Sequence, residues 1–424
     1  MGFSADFNKA LEIGRPPNIR RLFPNSRALI VSGKAIDRAM LRKGKAMTMA
    51  ANGRNAVVIR AALKAAQRAN AAIIIEIAKS ESTYCLINMW NIAQYVDAYC
   101  NELGITVPVA VHADHFGLKK PAEVAGAKVD VPSMFDFGIT SVAIDASHMS
   151  EEDNLRANIA LSSFVPPWAG YETEVGEIRG KEGLSTPEEA LFLIQGLNAH
   201  GIFPDWIALN NGTSHGIEES DAGIQVELTA RIHKALAPYR VSGAQHGTSG
   251  NSMERLRRIA SETLTTKANV ATALQMLSWG VKVNDYGNAI LDEAGNFAKL
   301  PNQGVTGELW QEMVSYAQAK SWKKGDYKKL NLPFETRLLS QPPEIRERME
   351  KSVEDFVYEL LANCFNAADT APLAIEEILK AGSHDLGFKA ERVEDPNEWT
   401  PEKISERAQQ FRREEELPGG SFED

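Results

Sequence analysis

Eight short apolar runs, at 46–51, 71–78, 107–113, 141–146, 171–178, 206–209, 240–244 and 281–283, alternate along the sequence with stretches of helical periodicity. That alternation predicts an α/β chain folded as a TIM (β/α)8 barrel. A further observation agrees: most of the runs end in His, Asp, Glu or Asn, and in a barrel the strand ends converge on one mouth. An open doubly wound sheet would use the same alternation, and the count of eight favours the closed form. The reading divides the chain into an N-terminal lead-in (1–44), a barrel with its C-terminal helices (45–370) and a charged helical extension (371–424).

The elements follow in order. In the lead-in, Pro16 and Pro17 forbid one continuous helix. Residues 55–68 carry Val57, Ile59, Ala61, Leu63 and Ala66 at helical positions, and 187–200 carry Ala190, Leu191, Leu193, Ile194 and Leu197. The second of these helices opens on Thr186-Pro187-Glu188-Glu189, a capping hydroxyl, a first-turn proline and carboxylates at the positive end of the dipole. Past residue 284 the rhythm lapses. The lysines at 320, 323, 324, 328 and 329 read as a solvated face, and 342–363 reads as one amphipathic helix. A charged helix at 401–415 reads as a solvated extension or a subunit contact.

A net charge of -10 and a pI near 5.5 argue against a nucleic-acid or anionic-membrane surface, so the expected partner is a small molecule. Cys85, Cys100 and Cys364 form no CxxC pair and read as reduced thiols. The N-terminus lacks an apolar signal core, and Glu76, Asn88 and Asp97 interrupt the longest apolar stretches. A cytoplasmic location is expected.

The stretch 107–117, VPVAVHADHFG, delivers Asp114 and His115 at a strand end, with His112 three residues earlier and so expected on the opposite face. Later runs end in Asp145 and His148, in Glu172, Glu174 and Glu177, in His215, in His246, and in Asn284 and Asp285. Three histidines with an open position suit a catalytic zinc. In addition, His215-Gly216 and His246-Gly247-Thr248-Ser249-Gly250 set backbone N–H groups beside hydroxyls, which a phosphate needs. Tight turns alone would explain the glycines, but not the histidine before each.

These residues resemble the class II, zinc-dependent fructose-bisphosphate aldolases and their tagatose-bisphosphate relatives. The match rests on HADH at 112–115, SVAIDASHMSEED at 141–153, ETEVGEIRGKEG at 172–183, SHG at 214–216, HGTSG at 246–250 and VKVN at 281–284. The resemblance implies His115, His215 and His246 as ligands of zinc, or of another divalent metal, with Asp145 and Glu174 holding the metal in a more buried position. It makes Asp114 the group that exchanges a proton with the C4 hydroxyl. Glu182, on a loop, would move the proton at the dihydroxyacetone phosphate carbon. Gly216, Gly247, Thr248 and Ser249 would hold the phosphate, and Asn284 the reacting end of the substrate. Arg346 and Arg348 are candidates for the second phosphate. A homo-oligomer is implied as well.

Two departures stand out. Acidic residues follow Gly216 where relatives place a lysine, and DYGN follows Asn284 in place of an IDTD-like pattern. The implied activity is retro-aldol cleavage of fructose 1,6-bisphosphate in glycolysis and gluconeogenesis. The alternatives are an aldolase for tagatose bisphosphate or another phosphorylated ketose, and a non-catalytic barrel subunit.

Overall fold

The computed structural model describes residues 4–176, 183–212, 223–249, 251–284, 287–293 and 295–411. Eight parallel strands close into a barrel in sequence order: β1 (Thr48–Asn52), β2 (Ile73–Ala78), β3 (Val109–Gly117), β4 (Ser141–Asp145), β5 (Gly170–Val175), β6 (Trp206–Leu209), β7 (Ser242–Gln245) and β8 (Thr265–Val270). Among the described residues, no helix is long and apolar enough to cross a membrane. The outer helices begin as their sequences dictate. Asn55 caps the helix Ala56–Ala69 through Val58 N, and Thr186 with Glu189 closes a capping box on Pro187–Ala199.

The eighth strand differs from the expectation. Val281 and Val283 form only isolated antiparallel bridges, with Lys299 and Ala289, and the strand is Thr265–Val270 instead. Its sequence, TTKANV, has no apolar run because Lys267 and Asn269 point into a polar barrel centre. Periodicity reads the environment a strand faces, and here that environment is charged.

The chain on either side of the barrel packs into it. Phe7, Ala10 and Ile19 from the N-terminal side, and Ala371, Ala374 and Ile378 from the C-terminal side, belong to the same buried cluster as the strands. Beyond the helix Ala371–Ala381, the chain crosses the N-terminal ends of β6 and β7. There Lys389 Nζ donates to Asp37 Oδ2 (2.5 Å), to the Asp205 carbonyl (2.9 Å) and to Ser242 Oγ (2.8 Å). Gly33 lies so close over this floor that a Cβ there would stand 2.7 Å from Ser141 Cβ. Trp399, Ile404 and Ala408 are buried against Leu193, Leu197 and their neighbours, so the described part of the extension is a packed strap rather than a solvated arm.

Removing one partner of a buried ion pair leaves the other uncompensated. Lys389→Met is therefore expected to cost roughly 3–5 kcal/mol, read from chemical denaturation. A loss below 1 kcal/mol would make the strap a surface contact.

On the opposite face, Glu335 accepts from Ala56 N at the start of the first barrel helix, and its other oxygen is buried without a partner. Burial pushes its pKa up to about 7, against the lowering effect of the Ala56 hydrogen bond. Between the ordinary carboxylate value and about 7 the folded chain holds a proton that the unfolded chain has released. Stability therefore falls as pH rises through that window. Glu335→Gln should raise the melting temperature relative to the parent at pH 8 and do so much less at pH 4.5; a pH-independent difference would refute the assignment.

Candidate active site

The site is built around an irregularity in β3. Strict alternation would send His115 outward if His112 points in. Instead the β3–β4 register shifts between Ala113 and Phe116, and His115 takes φ +40°, a left-handed conformation that costs an L-residue on the order of 1–3 kcal/mol. The bulge turns His115 back to the mouth, so His112, Asp114 and His115 all face the barrel axis. The expectation that His112 lies on the other face is corrected on that ground.

The interior is layered. At the floor, Trp206 packs edge-on to His112. Above it lies a fully buried ionic layer of Glu76, His112, Glu172 and Lys267. Lys267 Nζ is 2.6 Å from Glu172 Oε2 and 2.9 Å from His112 Nε2. Burial and the neighbouring Lys267 charge push the His112 pKa down to about 3, so this imidazole is neutral. At the mouth, β3 contributes Asp114 and His115, β4 Asp145, β5 Glu174, and the end of β7 His246.

The mouth groups meet directly. His115 Nε2 lies 2.7 Å from His246 Nδ1. Behind them, His115 Nδ1 is held by Asp145 Oδ2 at 3.2 Å and lies 3.1 Å from Glu174 Oε1, while His246 Nε2 is 2.9 Å from Glu172 Oε1. Asp114 Oδ1 accepts from Asn269 Nδ2 at 2.9 Å, and its Oδ2 lies 4.0 Å from His115 Nε2. Burial opposes the charge of Asp114, but His115 and Lys267, with His246, outweigh it and hold its carboxyl well below the ordinary range. Burial likewise disfavours a charged His115, yet Glu174, Asp114 and Asp145 raise its pKa well above the ordinary value.

Such a site calls for positive charge, and its donors fit a divalent cation. Two imidazole nitrogens face one another, each with its other nitrogen against a carboxylate, the usual support of a metal-binding histidine. Glu174 Oε1 is buried and makes no aligned hydrogen bond despite its closeness to His115. Asp114, His115 and His246 form one group able to gather a metal, and His115, Asp145 and Glu174 another.

Of the expected site residues, Asp114, His115, Asp145, Glu174 and His246 converge, and Gly247, Thr248 and Ser249 continue the turn from His246. Gly247 has φ +59°, and Asn251 ties the turn through the carbonyl of Gly247. Glu182, His215 and Gly216 lie outside the described residues. Asn284 belongs to the hairpin after the barrel, where its Oδ1 accepts from Asn288 N, so it does not end the eighth strand. That position is Asn269, followed by Val270, Ala271 and Thr272. Arg348 is committed to the carbonyls of Gly304 and Val305. Sequence reading missed Lys267 and Asn269. Their signal was a polar, β-branched stretch between the helix Met253–Glu262 and the helix Thr272–Trp279.

Fold and site together define a barrel whose catalytic-face strand ends gather imidazoles and carboxylates fit for a metal. The chain belongs to the class-II fructose-bisphosphate aldolase family, whose sequence model matches residues 35–321. It is 30% identical over 132 residues to the fructose-bisphosphate aldolase of Staphylococcus aureus, a match covering 31% of this chain and 43% of that one. The chain thus spans less than half the length of that curated relative. With the fructose-bisphosphate aldolase of Streptococcus pneumoniae it shares 28% identity over 235 residues, 53% of this chain and 73% of that one. The fold resembles that of the YdjI aldolase from Escherichia coli K12 (TM-score 0.55, 18% identity, 81% of this chain and 99% of that one). It also resembles the fructose-bisphosphate aldolase from Campylobacter jejuni (TM-score 0.54, 17% identity, 81% and 97%).

Proposed function

We propose that the chain is a metal-dependent aldolase. It cleaves fructose 1,6-bisphosphate to dihydroxyacetone phosphate and glyceraldehyde 3-phosphate, and runs the reverse condensation, in glycolysis and gluconeogenesis. The observation that carries this reading is the approach of His115 Nε2 to His246 Nδ1, 2.7 Å apart, beside an ionised Asp114. Zinc or another divalent ion, held by His115, His246 and His215 with Asp145 and Glu174 as alternative ligands, would supply Lewis-acid stabilisation of the charge left on the ketose oxygens.

The chain's own groups do the rest. Asp114 takes the C4 hydroxyl proton in cleavage and returns it in condensation. Asn269 anchors Asp114 Oδ1, leaving Oδ2 toward the mouth. The substrate contact expected of Asn284 passes to Asn269, whose own Oδ1 is buried without a partner. Glu182 moves the proton at the dihydroxyacetone phosphate carbon, and Gly216, Gly247, Thr248 and Ser249 offer donors to its phosphate.

A second reading keeps the mechanism and changes the sugar to tagatose bisphosphate or another phosphorylated ketose. Glu218, Glu219 and Asp221, which follow Gly216, favour it because they place negative charge where relatives carry a lysine. The test is triose phosphate release by purified protein from each bisphosphate, before and after chelation and zinc readdition. Cleavage of fructose bisphosphate that is lost on chelation and restored by zinc supports the first reading. Preference for tagatose bisphosphate supports the second, and inactivity on every ketose phosphate with the metal loaded sinks both.

A further inference from the structure

Among the described residues, four groups of side chains in the barrel are close enough to gather a cation, whereas the proposed reaction uses one metal. Besides the two groups at the mouth, these are Glu76 with His112 and Asp114, and Glu172 with Glu174 and His246. Both additional groups reach down into the buried ionic layer, and both meet the same atom. Lys267 Nζ stands 2.9 Å from His112 Nε2, 3.6 Å from Asp114 Oδ1 and 3.7 Å from Glu76 Oε2, so an ammonium already occupies the centre of the first group. It also binds Glu172 Oε2 at 2.6 Å, while Glu172 Oε1 faces His246 Nε2 at 2.9 Å, so both oxygens of that carboxylate are engaged.

We propose that Lys267 is a positioning residue that confines the metal to the mouth, its ammonium standing as the resident cation in the layer beneath. The inference rests on the reading of His115 and His246 as metal ligands.

Tautomers follow from the same contacts. The Glu172 carboxylate is only an acceptor, so His246 carries its proton on Nε2 and presents a lone pair at Nδ1, the atom that faces His115. The lysine ammonium is only a donor, so His112 accepts at Nε2 and carries its proton on Nδ1, toward Ser141 Oγ. One buried lysine thereby sets His246 to receive a metal and His112 to refuse one. Glu76 marks what the lower position would become without it. Its side chain is fully buried, and neither carboxylate oxygen has a hydrogen-bond partner. With Lys267 removed, Glu76, His112 and Asp114 would form an open three-donor pocket.

The test is metal stoichiometry and coordination in the full chain, stripped by chelator and titrated with zinc, with Co²⁺ as the spectroscopic probe. The parent should bind one equivalent and His246→Ala none. Lys267→Met should bind a second equivalent, or one with an altered Co²⁺ spectrum, and adding Glu76→Gln to it should abolish the change. Lys267→Gln, which removes the ammonium charge and keeps an N–H donor and the Glu172 carboxylate behind His246, serves if Lys267→Met does not fold; it should show the same gain. One equivalent with the parental spectrum in the Lys267 variants overturns the role of Lys267 alone. A parent that binds no zinc overturns the metal reading and this inference with it.

Discussion

Asp114→Ala is expected to keep its metal and lose turnover, with kcat falling about 10²–10⁴-fold and KM changing little. The carboxylate sets one oxygen toward Asn269 and Lys267 below and the other toward His115 above. Its neighbours hold it ionised, so at neutral pH its Oδ2 carries no proton of its own. Alanine removes the acceptor and leaves the facing nitrogens of His115 and His246 in place. Asp114→Asn is the sharper version, because the amide can still accept from Asn269 while it cannot take a proton. Steady-state kinetics with zinc content measured on the same sample decides the matter: parental turnover in either variant removes Asp114 from the mechanism.

His246→Ala is expected to lose the metal itself. This imidazole presents Nδ1 to His115 and is oriented from behind by Glu172, so its removal takes away a ligand together with the group that fixes it. Losing only an outer partner of a metal-bound histidine typically costs about 10–100-fold in affinity, and loss of the ligand should cost more. Equilibrium dialysis of the stripped protein against zinc measures it directly. An affinity within threefold of the parent would place the metal elsewhere.

Most of the barrel was legible because seven strands carry short apolar runs; β2, β3 and β5 also send Glu76, His112 and Glu172 to the polar centre, but their other residues keep the run readable. The eighth was not, since Lys267 and Asn269 serve the polar centre, and an apolar run at 281–283 stood in for it. The same displacement put Asn284 at a strand end, whereas it lies in the hairpin after the barrel. His115 and Asp114 were legible as residue types at a strand end, whereas the place of His112 was not, because a one-residue bulge reverses every side chain beyond it. The partners of Lys267, residues 76, 112, 114 and 172, come together only in three dimensions. For the C-terminal segment, a charged sequence suggested solvent; its few apolar residues, Trp399 and Ile404 among them, do the packing.

The strap also bears on how the protein is made. Asp37 and Lys389 are 352 residues apart in sequence, yet they share one buried contact under the barrel. During synthesis all eight strands leave the ribosome before the ammonium that neutralises Asp37 exists. Until then the floor of the barrel is open, with the Asp37 charge lacking its ammonium partner and the polar ends of β6 and β7 uncovered. A nascent chain stalled after β8 should therefore be more sensitive to protease than one stalled beyond residue 411, and the difference should shrink in Asp37→Asn, which has no charge waiting for its partner.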